Sequence, residues 1–121
     1  MASLEHHCVL VVEDEYYLAM DVVRLLKSAG ARVLGPFPDQ EEAQAAVEGE
    51  RPDCAVLDVN LGAGARFTLA DRLREIGVPF LFFTGYDRDV IPERFAQVLR
   101  LEKPVGDVRL LSSVETLCCA N

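Results

Sequence analysis

The stretch Cys54-Ala55-Val56-Leu57-Asp58 is an apolar run of strand length that ends on a single carboxylate. Continuous apolar runs of about four to eight residues are typical of parallel strands that helices cover on both faces. Residues 8–12, CVLVV, form a second run of this kind and lead directly into the three acids at 13–15. These two runs predict buried parallel strands with carboxylates at their carboxyl ends.

The sequence around these two runs alternates between strand and helix patterns. Further strand-length apolar runs lie at 31–34, 80–83 and 98–101. The spacing of apolar residues predicts helices over 15–29, 39–49, 68–76 and 108–118, with a short one starting at 91. We expect Asp39 and Thr68 to begin capping boxes and Val108 to lie on the buried stripe of the last helix. The order is (βα)₅, and because strand–helix–strand crossovers are right-handed, it predicts an α/β fold with one doubly wound parallel sheet.

Length and charge limit the class of protein. The chain has 121 residues, which predicts a single domain over 1–121 with an ordered core of about 7–119. Twenty acidic residues against twelve basic ones give a net charge of −8, which is the wrong sign for direct binding to nucleic acid. No apolar run approaches the roughly 20 residues of a membrane span, and the first residues do not form a secretory signal. We therefore expect a cytoplasmic protein without a membrane segment.

The four cysteines, at 8, 54, 118 and 119, do not have the spacing of a zinc site or of a disulfide framework. Cys8 and Cys54 lie inside apolar runs, whereas Cys118 and Cys119 are adjacent near the end of the chain. In a reducing compartment, we expect all of them to be free thiols that pack as small hydrophobic side chains.

Polar side chains of several chemical types stand where the predicted strands end. They are Glu13, Asp14, Asp58, Thr84 and Lys103. Because ligands of doubly wound sheets bind beyond the carboxyl ends of the strands, we expect these side chains to converge. Neighbouring carboxylates resist ionising unless a cation neutralises them, and their oxygens suit Mg²⁺. A hydroxyl and an ammonium beside them can hold the oxygens of a phosphoryl group that arrives at a carboxylate nucleophile.

Four segments of the chain resemble, in order and spacing, the receiver domain of response regulators in two-component signalling. They are Val11-Val12-Glu13-Asp14-Glu15, Ala55-Val56-Leu57-Asp58-Val59-Asn60-Leu61, Phe83-Thr84-Gly85 and Lys103-Pro104. The resemblance covers nearly the whole chain. It implies a flavodoxin-like five-stranded sheet with strand order 2-1-3-4-5.

The same resemblance implies a role for each matching residue. Asp58 would accept the phosphoryl group, and Thr84 and Lys103 would contact its oxygens. Mg²⁺, for which Mn²⁺ can substitute, would bind Glu13, Asp14, Asp58 and the backbone carbonyl of Asn60. The Lys103–Pro104 bond would be cis. The phosphodonor would be a histidine kinase or a histidine phosphotransfer protein, and the domain would have no separate substrate to turn over.

Two features depart from the usual receiver pattern. Arg100 stands where receivers carry an aromatic residue on the fifth strand, and Lys103 follows Thr84 by only 19 positions, which implies a shortened or irregular fourth helix. The stretch 82–86, FFTGY, also resembles the signature of the divergent FATGUY receivers, which often lack an attached output domain. We therefore expect a stand-alone receiver, monomeric or weakly dimeric, that acts on an unidentified downstream protein. Its switch would involve Tyr86, Arg100 and a surface around residues 85–100.

Two other interpretations stay open at this point. Small phosphatases also use an aspartate nucleophile, but they need a second acid two positions later, where this chain has Asn60. A degenerate receiver that only binds partners would lack one of the site residues, and all of them are present. Incubation with a small phosphodonor and Mg²⁺ separates the three. A receiver gains one slowly hydrolysed phosphoryl group, a phosphatase turns over, and a binding module does not react.

Overall fold

The computed structural model describes residues 3–59, 67–85 and 91–119, and strands alternate with helices along it. The elements are β1 (Cys8–Val12), α1 (Tyr16–Ser28), β2 (Arg32–Phe37), α2 (Gln40–Gly49), β3 (Cys54–Asp58), α3 (Thr68–Glu75), β4 (Phe80–Thr84), a 3₁₀ turn (Glu93–Phe95), β5 (Arg100–Glu102) and α4 (Asp107–Cys118). All five predicted strands are present, although β2 continues to Phe37 and β5 starts at Arg100.

The five strands form one parallel sheet in the order β2-β1-β3-β4-β5. This order confirms the flavodoxin-like fold with strand order 2-1-3-4-5. The central strand β3 pairs with β1 on one side, Val12 opposite Leu57, and with β4 on the other, Asp58 opposite Phe83. The carboxyl ends of β1, β3 and β4 are therefore level at one edge of the sheet, where the candidate residues follow.

Each face of the sheet packs against its own pair of helices. Along β1, Val9 and Val11 face the layer of α1 and α4, whereas Leu10 and Val12 face the layer of α2 and α3. Because both faces are covered, every residue of β1, β3 and β4 is buried. Each buried aliphatic side chain of this kind stabilises the fold by about 1.5–3 kcal/mol. This double coverage is the physical reason for the unbroken apolar runs.

The two predicted capping boxes have different outcomes. The Asp39 carboxylate accepts a hydrogen bond of 2.9 Å from the Glu42 backbone N–H and caps α2 as predicted. The prediction for Thr68 is wrong, because α3 has Phe67 at its N-cap position and no side-chain cap. The carboxylate of Asp71, three residues after Thr68, binds Arg94 instead. The Asp71 side chain thus forms a long-range ion pair in place of the local cap that the sequence pattern predicts.

The buried stripe of α4 also differs from the prediction. Val108 was expected on this stripe, but it is 84% exposed. The residues that enter the core are Leu110, Val114 and Cys118, which are spaced four apart and lie on one side of the helix. The apolar residues of α4 fit more than one stripe, and the packing against α1 and β3 selects this one.

The connection from β4 to β5 was predicted to hold a shortened or irregular helix. In its described part, which resumes at residue 91, the regular structure is the 3₁₀ turn Glu93–Phe95. Phe95 is fully buried against the aromatic rings of Phe67, Phe80 and Phe82. This connection therefore has a strong apolar anchor that the sequence pattern did not indicate.

The cysteines correct the expectation of four free thiols. Cys54 and Cys118 form a disulfide, while Cys8 is a buried free thiol and Cys119 an exposed one. The start of β3 and the end of α4 bring the two Cα atoms to 5.4 Å, within the range of disulfides. Sequence spacing cannot show this pairing because the two residues are 64 positions apart.

Two further observations concern the ends and the helices of the fold. Leu4 is fully buried, and its N–H donates a hydrogen bond of 2.8 Å to the Ala29 carbonyl, so the described N-terminal residues pack on the domain. Among the described residues, none of the helices is long and apolar enough to cross a membrane.

Candidate functional site

Three carboxylates meet at the carboxyl ends of β1 and β3. Glu13 follows β1, and Asp58 is the last residue of β3, the neighbouring strand. One carboxylate oxygen from each of Glu13, Asp14 and Asp58 lies within 4.8 Å of the other two. Glu13 and Asp58 are 3% and 4% exposed, whereas Asp14 is exposed. The pairing of β1 with β3 therefore creates the predicted cluster, which is open to solvent on the side of Asp14.

Backbone contacts fix the position of Glu13. Its N–H donates to the Phe37 carbonyl at 2.9 Å, which ties the end of β1 to the end of β2. The register of these strands shifts near Gly35, which has φ +107°, and a Cβ there would lie 2.8 Å from the Val11 carbonyl oxygen. Glycine is therefore required at this bend. The Glu13 Oε2 atom accepts a hydrogen bond of 3.1 Å from the Glu15 N–H, which orients the carboxylate.

Lys103 reaches this cluster from the end of β5. Its Nζ atom lies 3.0 Å from Glu13 Oε1 and 3.4 Å from Asp58 Oδ2. Its backbone N–H donates to the Thr84 carbonyl at 2.8 Å, and its peptide bond to Pro104 is cis. The ammonium group thus bridges the carboxylates at the ends of β1 and β3.

The electrostatics of Lys103 follow from this position. Partial burial lowers the pKa of the ammonium group, but the carboxylates of Glu13 and Asp58 favour its charged form more strongly. The net result is a pKa raised above the ordinary value of 10.5. Lys103 is therefore protonated at neutral pH and offers a fixed positive charge at the site.

The donor set fits a divalent cation. Three carboxylates and one ammonium group give the cluster a formal net charge of −2 (three negative groups and one positive), which one divalent ion would neutralise. The buried Oε1 atom of Glu13 faces the Lys103 ammonium group at 3.0 Å. Carboxylate oxygens are hard ligands that suit Mg²⁺, which retains several waters and takes few protein ligands.

The remaining predicted residues have different positions. Thr84 is the last residue of β4 and is 8% exposed, so it stands beside Asp58 at the same edge of the sheet. Arg100 is exposed on β5, opposite Phe82 in register. Asn60 and Tyr86 lie outside the described residues.

An aromatic group next to the site was missed at the sequence level. Leu57, Asp58, Phe67 and Phe82 take part in lining a cavity of about 10 Å³, large enough for about one water molecule. Phe67 and Phe82 both contact the ring of Phe95, with centroids 5.6 and 5.7 Å away. The available signal was the number of phenylalanines near positions 67–95, but their mutual contact depends on tertiary packing.

The family comparison agrees with this geometry. The family model described as the response regulator receiver domain matches residues 9–115. The chain belongs to this family. The matched range contains Glu13, Asp58 and Lys103 and all five strands except the first residue of β1.

Individual relatives support the same assignment. The phyllosphere-induced regulator PhyR of Methylorubrum extorquens is 34% identical over 90 residues, which are 72% of this chain and 32% of PhyR. The transcriptional regulatory protein PdtaR of Mycobacterium tuberculosis is 25% identical over 111 residues, which are 88% of this chain and 54% of PdtaR. This chain thus spans about a third to a half of these two relatives. The solution structure of SdrG from Sphingomonas melonis Fr1 superposes with a TM-score of 0.82 at 31% identity, covering 97% of this chain and 98% of SdrG.

Proposed function

We propose that this chain accepts a phosphoryl group on Asp58 from a histidine kinase or a histidine phosphotransfer protein, in a Mg²⁺-dependent reaction. The observation that carries the proposal is the position of Lys103 Nζ, 3.0 Å from Glu13 and 3.4 Å from Asp58, beside three clustered carboxylates. A buried aspartate next to a fixed ammonium group is suited to receive an anionic phosphoryl group. Membership of the receiver family supports the same reaction.

The proposed transfer is a displacement at phosphorus. A carboxylate oxygen of Asp58 forms a bond to phosphorus while the bond from phosphorus to the donor histidine nitrogen breaks and leaves its electron pair on that nitrogen. The Lys103 ammonium group turns from Asp58 to an oxygen of the incoming phosphoryl group and balances its charge. The hydroxyl of Thr84 donates to another of these oxygens.

Glu13, Asp14 and Asp58 would hold Mg²⁺, together with the backbone carbonyl of Asn60. The bound ion would supply positive charge to the phosphoryl oxygens and so lower the barrier to transfer. Asp14 is the solvent-exposed member of the cluster. Its exposure suits an ion that keeps part of its water shell.

The consequence of phosphorylation is proposed to be a change in a protein-binding surface around residues 85–100. The exposed Arg100 does not support a switch in which a strand-five aromatic turns inward, because an unpaired buried guanidinium costs several kcal/mol. The described part of this surface is linked to the site through Phe95, Phe67 and the cavity beside Asp58. We propose this aromatic contact as the route of the switch.

The first prediction tests the phosphoacceptor. Incubation of the purified chain with a small acyl phosphate and Mg²⁺ should add a single phosphoryl group, measured by intact-mass spectrometry. Asp58→Asn should abolish the addition because an amide oxygen is a poor nucleophile, and a chelator should abolish it in the unmodified chain. Asp53→Asn is the matched control, because Asp53 precedes the same strand at its opposite end and binds the Cys8 N–H.

Three outcomes would contradict the proposal. Phosphorylation of the Asp58→Asn variant would place the acceptor elsewhere. Continuous release of phosphate from excess donor would favour a small phosphatase, and no reaction of the unmodified chain would favour a degenerate receiver that only binds partners.

A further inference from the structure

We infer that Cys54 and Cys118 form a reversible oxidation site, which closes by exchange with a low-molecular-weight disulfide and clamps α4 onto the sheet. Cys54 is the first residue of β3 and Cys118 is the last residue of α4, and the structure joins them. Their Cα atoms are 5.4 Å apart, a separation that a disulfide spans without movement of the backbone. This site is separate from the carboxylate cluster, which lies at the other end of β3.

The surroundings of the pair favour an ordered site over chance contact. Both residues belong to the apolar layer between the sheet and the helices α1 and α4. Cys54 is fully buried and Cys118 is 6% exposed. The two thiols therefore remain packed against each other in the folded chain, whether or not they are bonded.

The position of Cys118 at the end of a helix makes it accessible to the oxidant. Cys118 ends α4, and the following residue, Cys119, is exposed. Terminal helical turns open locally at little cost in free energy, so Cys118 becomes accessible before Cys54, which lies in the central strand. Cys118 is therefore the residue that reacts with the external disulfide.

The oxidation consists of two exchange steps. The Cys118 thiolate attacks one sulfur of the external disulfide, forms a mixed disulfide and releases one small thiolate. The Cys54 thiolate then attacks the Cys118 sulfur, closes the protein disulfide and releases the second small thiolate. The protein loses two protons and two electrons, and the external disulfide gains them as two thiols. Excess dithiol reverses both steps.

The other two cysteines are suitable controls. Cys8 is a buried free thiol, and burial raises the pKa of its thiol. Cys119 is an exposed free thiol adjacent to Cys118. The chain therefore offers one buried and one exposed cysteine outside the bonded pair.

Formation of the Cys54–Cys118 disulfide constrains more than half of the chain. The bond closes a loop with a sequence separation of 64, which contains Asp58, Thr84 and Lys103. Such a loop restricts the unfolded chain, and the oxidised form should melt on the order of 10 °C higher than the reduced form.

The experiment compares the full-length chain after treatment with oxidised glutathione and after treatment with excess dithiothreitol. Alkylation under denaturing conditions, read by peptide mapping, should leave Cys54 and Cys118 unlabelled in the oxidised sample and label all four cysteines in the reduced one. The melting temperature should rise on oxidation and fall again on reduction. Cys8→Ala and Cys119→Ala should keep this redox dependence, whereas Cys54→Ala and Cys118→Ala should lose it.

Two results would overturn the inference. Alkylation of Cys54 and Cys118 after oxidation of the unmodified chain would show that the bond does not form from the reduced state. Peptide mapping that finds Cys118 bonded to a residue other than Cys54 would show that the site is a different one. Both readouts use the unmodified protein, so they hold even where a cysteine variant does not fold.

Discussion

Lys103 is the residue at which the fold and the proposed chemistry depend most directly on each other. Its Nζ atom contacts two buried carboxylates, and its backbone N–H binds β4 through the Thr84 carbonyl. The ion pairs offset part of the repulsion between Glu13 and Asp58 in the folded chain. If the Lys103 side chain turns from these carboxylates to an incoming phosphoryl group, its ammonium group no longer offsets their repulsion in the same way.

The second prediction is the pH dependence that Lys103 confers. Its pKa in the folded chain lies above the ordinary value of 10.5. Lys103 therefore contributes stability that is fully present below 10.5 and is lost as the pH rises through the raised pKa. Lys103→Gln should melt at a lower temperature at neutral pH, and its melting temperature should fall less steeply above about pH 10.

Thermal melts of the two proteins across this pH range make the measurement. Lys27→Gln is the matched control, since Lys27 is the other lysine of the chain and is exposed on α1. An alkaline slope in Lys103→Gln equal to that of the unmodified protein would contradict the assigned ion pairs.

At the scale of elements, the described part of the connection from β4 to β5 combines a fully buried aromatic ring with a set of surface charges. Phe95 is fully buried, while the Arg74 and Arg94 guanidinium groups lie over its ring at 4.6 and 4.8 Å. Arg94 also donates two hydrogen bonds of 2.9 Å to the Asp71 carboxylate on α3. These charges are about half exposed, so they contribute less than the buried ring does.

The third prediction places the response to phosphorylation in this connection. Beryllofluoride, as a phosphoryl mimic on Asp58, should change amide hydrogen exchange most strongly within residues 85–97. The reason is that the Arg94 contacts are exposed and open easily, while Phe95 couples the turn to Phe67 and the cavity beside Asp58. Exchange of the unmodified chain is measured with and without the mimic.

The Asp58→Asn variant with the same reagents is the control, and its exchange should not change. A response confined to α2 or α4 would show that the output surface lies elsewhere. A response in 85–97 that survives Asp58→Asn would mean that the mimic acts at another position.

At the scale of the whole molecule, the sheet brings distant parts of an acidic chain to one edge. Glu13, Asp58 and Lys103 come from the ends of β1, β3 and β5. β1 and β3 are adjacent, and β5 pairs with β4, so the long side chain of Lys103 reaches the two carboxylates past the end of β4. The cluster keeps an excess of negative charge within a molecule whose net charge is already −8. A cation that binds the folded arrangement should therefore stabilise the entire domain.

The fourth prediction is that Mg²⁺ raises the melting temperature. A concentration ten times the Kd should raise it by roughly 5 °C, because the ion binds the folded chain and not the unfolded one. Asp14→Ala should weaken this effect without unfolding the domain, since Asp14 is the exposed member of the cluster. Differential scanning fluorimetry with and without Mg²⁺ makes the measurement.

Glu15→Ala is the matched control, because Glu15 is the neighbouring exposed acid and lies outside the cluster. An unchanged melting temperature of the unmodified protein at millimolar Mg²⁺ would refute the metal site. An equal loss of the effect in both variants would indicate general charge screening rather than coordination.

Local pattern in the sequence determined most of the architecture. The unbroken apolar runs of β1, β3 and β4 predict strands that are buried on both faces, and the structure confirms this coverage. The positions of Glu13, Asp58 and Lys103 directly after strands were enough to predict that they meet. A short stretch of sequence is enough to predict these features, because an apolar run indicates a buried strand and the direction of the chain indicates at which edge of the sheet the next residue lies.

Tertiary structure alone decided the contacts between residues far apart in the chain. Asp71 binds Arg94 instead of capping α3, Val108 faces solvent, and Cys54 pairs with Cys118. Each of these depends on how two elements pack and on the rotation of a helix about its axis. The physical reason is that local periodicity restricts which faces are apolar, whereas the choice among several possible partners is made by the geometry of the packed core.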